Sequence, residues 1–365
     1  MASEDQTHFY SIKQMDFNLL QKHTVDVYHL RNHECRVIEQ FPARSLLKPQ
    51  RFDLFAKLYY IGNVMTNRDN AMRVYGEHIK AFNPDGREPG REDKDGINDF
   101  VSAFDQIISH FKEHDFDDEI SVVPVDRNGV ILDGAHRIAA LAYFGKTVTI
   151  ARFDGVEAKC DFDYTYFKNR GLAWEVADTI ALEMVKWIDE LLVACLWPST
   201  DAKQKQIVVE MLGSQHQIAY RKDIKCDLHS LANFVGYIYR RQEWTQNPDY
   251  VLDKASRVYG KSSLSLVMFA SENSLDAVLR EKNGIRQLLG KGKDSLHIAD
   301  DHEETLDIAA VTLDKIRQNQ WMASPTLNLV NKLSDQLKER WLIFKKVQWI
   351  AFKVRVYNML RRFRS

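Results

Sequence analysis

Residues 119–154, EISVVPVDRNGVILDGAHRIAALAYFGKTVTIARFD, constrain the fold more than any other part of the chain. Ile120 to Val125 is a short run rich in β-branched residues, and Asp126-Arg127-Asn128-Gly129 closes it with a turn. Asn-Gly between apolar runs is a strong hairpin signal, because both residues tolerate positive φ. Val130-Ile131-Leu132 then reads as a returning strand. Asp133-Gly134-Ala135-His136-Arg137 opens a helix that carries Ile138, Ala139, Leu141, Ala142 and Phe144. Gly145 falls where a helix end takes a left-handed residue, and Thr147 to Phe153 reads as a third strand.

The loop before that helix has a chemistry of its own. The first N–H groups of a helix lack internal partners and carry partial positive charge. Gly134 has no side chain to hold a ligand away, so an anion can come close to the backbone. His136 and Arg137 add side-chain donors at the same end, and Asp133 can hold a metal ion or accept a proton. This set suits a phosphate. The alternative is that Asp133 merely caps the helix and Arg137 is solvated, since caps of this kind are common.

The segment resembles the nucleotide-binding core of the ParB/sulfiredoxin superfamily. Chromosome-partitioning ParB proteins, sulfiredoxins and free-serine kinases share a strand followed by Gly-x-(His/Arg)-Arg at a helix start. The form here, Asp133-Gly134-Ala135-His136-Arg137 with Ala139-Ala140 after it, is most similar to the Asp-Gly-His-His-Arg of the serine kinases. Ala135 departs from that pattern and removes one phosphate donor. It also stands where sulfiredoxin chemistry needs a cysteine, which argues against that activity.

The resemblance implies that Gly134, Ala135, His136 and Arg137 hold ATP or another nucleotide, with Mg²⁺ bridging its phosphates at Asp133. Asp133 is also the most economical catalytic carboxylate. The family kinases use a Glu from the N-terminal part as well, for which Glu39 and Asp53 are the candidates here. The longer chain resembles ParB-domain proteins that accompany surface-polysaccharide genes, which implies a small hydroxyl compound or a sugar as acceptor.

Composition sets the frame. A chain of 365 residues is long enough for two domains with their own cores. The formal net charge is -1, so bulk charge gives no reason to expect a nucleic-acid partner. Cys35, Cys160, Cys195 and Cys226 form no C-x-x-C pair and read as buried apolar residues in a reducing compartment. The first ten residues, MASEDQTHFY, are too polar for a signal peptide. No uncharged apolar run approaches the ~20 residues of a membrane span. The expectation is a cytoplasmic protein.

Along the chain, Cys35 to Phe41 reads as a first strand, followed by a Pro-containing loop and a helix over LFAKLYYIG. ParB-like domains show the same order. Tyr75 to Phe82 ends a second helix, and residues 83–96 read as a surface loop whose Arg87, Arg91 and Lys94 can reach an anionic substrate or simply be solvated. Val101, Phe104, Ile107, Ile108 and Phe111 recur at helical spacing.

The texture changes between Asp154 and Leu172. Residues 175–197 read as one long helix, with Ser199 or Thr200 capping the next. Leu264 to Ala270 is strand-like, and a helix carrying Leu275, Val278, Leu279 and Ile285 follows. Lys293, His297, Asp300 and Glu304 then lie in a stretch where Gly and Lys precede a dense run of acids and histidines. Their spacing allows a phosphate or metal site, because His and carboxylates three or four apart share a helix face. The run is equally a helix N-terminus enriched in acids.

From Lys338 to Ser365 nine basic residues stand against one acid, interleaved with Trp341, Phe344, Trp349, Phe352, Tyr357 and Phe363. Such a tail suits an anionic membrane surface, with a packing or oligomerisation helix as the alternative.

The expected architecture is an α/β ParB/sulfiredoxin-like nucleotide-binding domain (residues 1–160), a mainly α (α+β) second domain (161–335) and a basic aromatic C-terminal helix (336–365). The expected function is a nucleotide-dependent phosphotransferase, cytoplasmic or peripheral on the inner face of the membrane. The alternatives are a ParB-like nucleotide-gated binding protein and a second-domain transferase regulated by the first domain.

Overall fold

The computed structural model describes residues 15–88, 91–159 and 161–323. Its strands are β1 (Arg36–Pro42), β2 (Arg87–Glu88), β3 (Arg91–Asp95), β4 (Val123–Val125), β5 (Thr147–Arg152), β6 (Leu191–Leu196), β7 (Gln217–Ile224), β8 (Leu264–Ala270) and β9 (Leu296–Ile298). Its α-helices are α1 (Lys22–Val27), α2 (Phe52–Asn63), α3 (Arg68–Phe82), α4 (Ile97–Glu113), α5 (Ala135–Tyr143), α6 (Tyr164–Asn169) and α7 (Trp174–Trp187) in the first half. The second half adds α8 (Ala202–Gln215), α9 (Leu228–Ile238), α10 (Pro248–Val258), α11 (Leu275–Leu289), α12 (His302–Leu313) and α13 (Lys315–Ala323). The described residues are thus mixed α/β and mostly helical. No helix among them is long and apolar enough to cross a membrane.

Two small sheets, apart from the β2–β3 hairpin, organise these elements. The first has the order β1-β5-β4, with β5 antiparallel to β1 and parallel to β4. The parallel pair exists because α5 carries the chain back between β4 and β5, as a parallel connection requires. The second sheet has the order β7-β8-β6-β9 and is antiparallel throughout. Leu191, Val193 and Cys195 of β6 face the main core, while Leu192, Ala194 and Leu196 face a second cluster under α8 and α11. The main core runs from Ile38 to Trp321, so both halves share it. Phe52 of α2 stacks on Tyr220 of β7 with ring centroids 6.2 Å apart and an interplanar angle of 2°.

Several expectations change. The expected long helix over 175–197 ends at Trp187, and Leu191–Leu196 is a strand. Both faces of β6 are buried, so its sequence is an unbroken apolar run that periodicity cannot tell from helix. The strand β7 was not expected either; with β6, β8 and β9 it completes a four-stranded sheet inside a second part that is otherwise mainly helical. Within the expected loop, Arg87–Glu88 and Arg91–Asp95 pair as antiparallel strands β2 and β3. Asp201, not Ser199 or Thr200, caps α8, and Gln204 completes a capping box with it. Of the described cysteines only Cys195 is fully buried. The basic tail of residues 336–365 lies outside the described residues.

Candidate functional site

The turn after β4 is built by Asp126, whose Oδ1 accepts the N–H groups of Asn128 and Val130 at 2.8 Å each. The chain then runs back along β4, with Leu132 N–H donating to the Pro124 carbonyl at 2.9 Å. The return makes only the isolated bridge Val125–Ile131 with β4 before it reaches Asp133 and Gly134, so Val130–Leu132 is not the full returning strand that the sequence suggests. Gly134 has φ +87° and forms the N-cap of α5. A Cβ there would sit 3.0 Å from Arg137 Nη2, so both its backbone angle and the close approach call for glycine.

No side chain caps the first turn of α5. Asp133 is therefore not the cap that the bland reading made it. Instead Arg137 reaches back: Nη1 donates to Ser121 Oγ at 2.7 Å, and Nη2 lies 3.4 Å from Asp133 Oδ2. The first contact is a strong hydrogen bond and the second is loose. Burial lowers the pKa of Arg137 below the ordinary guanidinium value, and Asp133 opposes the shift. His136 Nε2 lies 2.8 Å from the Tyr75 hydroxyl, and its ring sits edge-on to Phe104 with centroids 4.8 Å apart. Residues 132–137 are all partly buried, neither sealed nor free.

Behind this loop lies a second charged cluster. Arg51 Nε and Nη2 donate to Asp53 Oδ1 and Oδ2 at 2.8 and 2.9 Å, and Lys57 Nζ donates to Oδ2 at 3.0 Å. Arg51 Nη1 donates to the Ile131 carbonyl at 2.6 Å, tying the cluster to the segment that leads into Asp133. Burial works to raise the Asp53 pKa, but Arg51 and Lys57 overcome it and hold the carboxyl far below its usual range. Arg51 is raised for the converse reason, against its own burial, chiefly by Asp53 and also by Asp133. His78 is fully buried beside them with no hydrogen-bond partner on either ring nitrogen. Burial and Lys57 push its pKa well below the ordinary histidine value.

Two sequence candidates for a catalytic carboxylate thus part from Asp133. Asp53 is 1% exposed and both its oxygens are taken. It balances two buried cations and is not placed to meet a substrate. Glu39 is exposed on β1, with β5 between it and β4. Tyr75, Ser121, Arg51 and His78 escaped the sequence reading. A usable signal was Arg51, Asp53 and Lys57 spaced two and four apart in otherwise apolar sequence.

In the second half, His297 sits on β9 with Nε2 3.0 Å from Glu304 Oε1 and Nδ1 3.3 Å from the Tyr239 hydroxyl. Glu304 Oε2 accepts the Asp300 N–H at 2.6 Å, and Asp300 Oδ1 accepts Lys282 Nζ at 2.6 Å. Burial raises the Glu304 pKa, but His297 and the Asp300 N–H bring it below the usual value. Lys293 lies in the Gly292–Asp294 turn and is exposed. Asp301 caps α12, as the helix-start reading expects. Among the described residues no group of three or more His, Cys, Asp or Glu is placed to hold a metal ion.

Neither a family model nor a curated protein matches the chain.

Proposed function

We propose that the protein is a nucleotide-dependent phosphotransferase with its phosphate-binding site at Gly134–Arg137. The observation that carries this reading is the uncapped start of α5, where a left-handed glycine exposes the helix end in a half-buried loop flanked by Arg137. Anions are favoured at such a helix end by the unpaired N–H groups and the helix dipole together. The residues fit a nucleotide–Mg²⁺ complex: Asp133 is partly exposed and its contact with Arg137 is loose enough to leave an oxygen for a cation. One protein carboxylate suffices, since Mg²⁺ sites commonly combine one or two carboxylates with substrate phosphates and water.

When bound, the nucleotide supplies an electrophilic phosphoryl group. The chain does the rest. The first turn of α5 and Arg137 hold negative charge, and Ser121 keeps the guanidinium pointed into the loop. Asp133 orients a hydroxyl acceptor or takes its proton. The acceptor class is a small hydroxyl compound or a sugar, and the family reading remains the ParB/sulfiredoxin resemblance of the motif. The test is thermal stabilisation by ATP, CTP and GTP with Mg²⁺, followed by nucleotide consumption when hydroxyl compounds and sugars are added. Stabilisation without consumption under any acceptor favours a nucleotide-gated binding protein. No stabilisation by any of the three removes the site.

A further inference from the structure

A cleft of 950 Å³ separates the two halves of the chain at one edge. Residues 42–50 and Asn128 form one wall, and Trp187 with the adjoining ends of the second sheet forms the other. No residue of the Asp133–Arg137 loop lines it. We propose that this cleft is a second ligand site, which takes a neutral polyhydroxylated molecule of the saccharide class.

The lining chooses the class. Gln50, Asn128, Gln215, Gln217, Ser271 and Asn273 bring groups that both donate and accept. Neighbouring hydroxyls on a sugar ring do the same and pair with such amides two at a time. The charged residues of the wall are Arg44 and Lys48 against Asp189, Glu190 and Glu272. That excess of carboxylates disfavours a phosphate or another anion, while a carboxylate accepts readily from hydroxyls. The volume lies near the top of the range for small-molecule sites, about 300–1,000 Å³, with room for more than one sugar ring.

Two buried polar atoms in this wall have no partner: Gln50 Oε1 and His216 Nδ1. Both belong to side chains that are otherwise fixed. Gln50 Nε2 donates to Gln217 Oε1 at 3.2 Å, and His216 Nε2 lies 2.7 Å from Glu281 Oε2 with the imidazole only 1% exposed. Buried polar groups are nearly always satisfied in folded proteins, so these two show that the bonding of the wall is incomplete behind its surface, while contact with a ligand falls to the amides and hydroxyls that line the cleft. Arg44 crosses the cleft to Asp189 at 3.2 Å and lies over Trp187 at 5.6 Å from the ring centroid. Both partners of that ion pair are at least half exposed, so it opens at little cost and uncovers the indole.

The inference stands apart from the nucleotide reading. The experiment is to probe a printed array of defined neutral and acidic oligosaccharides with the full-length chain, and with Gln217→Ala and Asn273→Trp variants that melt at the wild-type temperature. The expected result is retention of neutral saccharides by the wild type, a loss of tenfold or more in Gln217→Ala and abolition in Asn273→Trp. Any thermal shift with ATP and Mg²⁺ stays unchanged in both variants, which separates failure here from failure at Gly134. Absence of retention, retention of acidic saccharides alone, or equal retention by the wild type and Gln217→Ala overturns the proposal. If Asn273→Trp does not fold, Gln217→Ala decides by itself.

Discussion

Two carboxylate–guanidinium pairs stand close together in the N-terminal half, Arg51–Asp53 and Asp133–Arg137, and they are built in opposite ways. In the first, both oxygens of Asp53 are bonded and the pair is sealed from water. In the second, Asp133 and Arg137 are each 21% exposed and meet only at 3.4 Å. The same two side-chain types therefore end with different bonding capacity left over. A closed pair pays for its desolvation with short bonds and has nothing left to offer a ligand. An open pair leaves an oxygen and a guanidinium edge free to change partners. Residue type in a motif does not distinguish the two cases; unspent bonding capacity does.

The comparison is tested most strongly at Asp53. Removing one member of a buried ion network leaves the others charged and unpaired, at a cost of about 3–5 kcal/mol. Asp53→Ala is expected to lose that much in chemical denaturation. Asp53 is held below its unfolded value, so its contribution is full above about pH 4 and is lost as the pH falls further. The wild-type advantage over Asp53→Ala should shrink in strong acid accordingly. A loss under about 1 kcal/mol would mean that the cluster is not structural and would reopen a catalytic role for Asp53.

At the open pair the effects move to ligand and turnover. Arg137→Ala is expected to weaken ATP binding by about 2–4 kcal/mol, the worth of one or two charge-assisted bonds. Calorimetry that finds affinity unchanged for ATP and CTP would remove the site. Asp133→Asn should leave folding stability and nucleotide affinity measured without Mg²⁺ near wild type, while turnover with Mg²⁺ falls by about 100-fold or more, in the range of general acid–base catalysis. Turnover within a few-fold of wild type would take Asp133 out of the chemistry.

His78 gives a smaller effect with a definite sign. It stays neutral in the fold, whereas in the unfolded chain it titrates at its ordinary value of 6.5. The unfolded state binds the proton first, so stability falls as the pH drops below that value, by up to about 1.4 kcal/mol per pH unit. His78→Leu should flatten this limb below pH 6.5 in denaturant titrations. An identical limb in the variant would show that His78 is protonated in the fold. Gly134→Ala should cost the least, about 1–2 kcal/mol for a side chain at positive φ. It should also weaken ATP binding if Arg137 must shift to admit the new methyl group. Melting and calorimetry unchanged from wild type would show that this position does not need glycine.

The sequence alone determined the elements whose signals are local. Asn128-Gly129 marks a turn, Gly145 a helix end and Thr147 to Arg152 a strand, because φ preference and apolar spacing act over a few residues. The Asp133–Arg137 loop was legible for the same reason. Tertiary structure alone decided the rest. Leu191–Leu196 became a strand because a second sheet and its helices bury both faces, a fact set by residues as distant as Ile298, the partner of Ala194. Asp53 became a structural ion and Asp133 an open carboxylate because the return from β4 carries Ile131 to Arg51 and Arg137 to Ser121. A carboxylate's role depends on which long-range partners have already spent its lone pairs, and no local pattern records that.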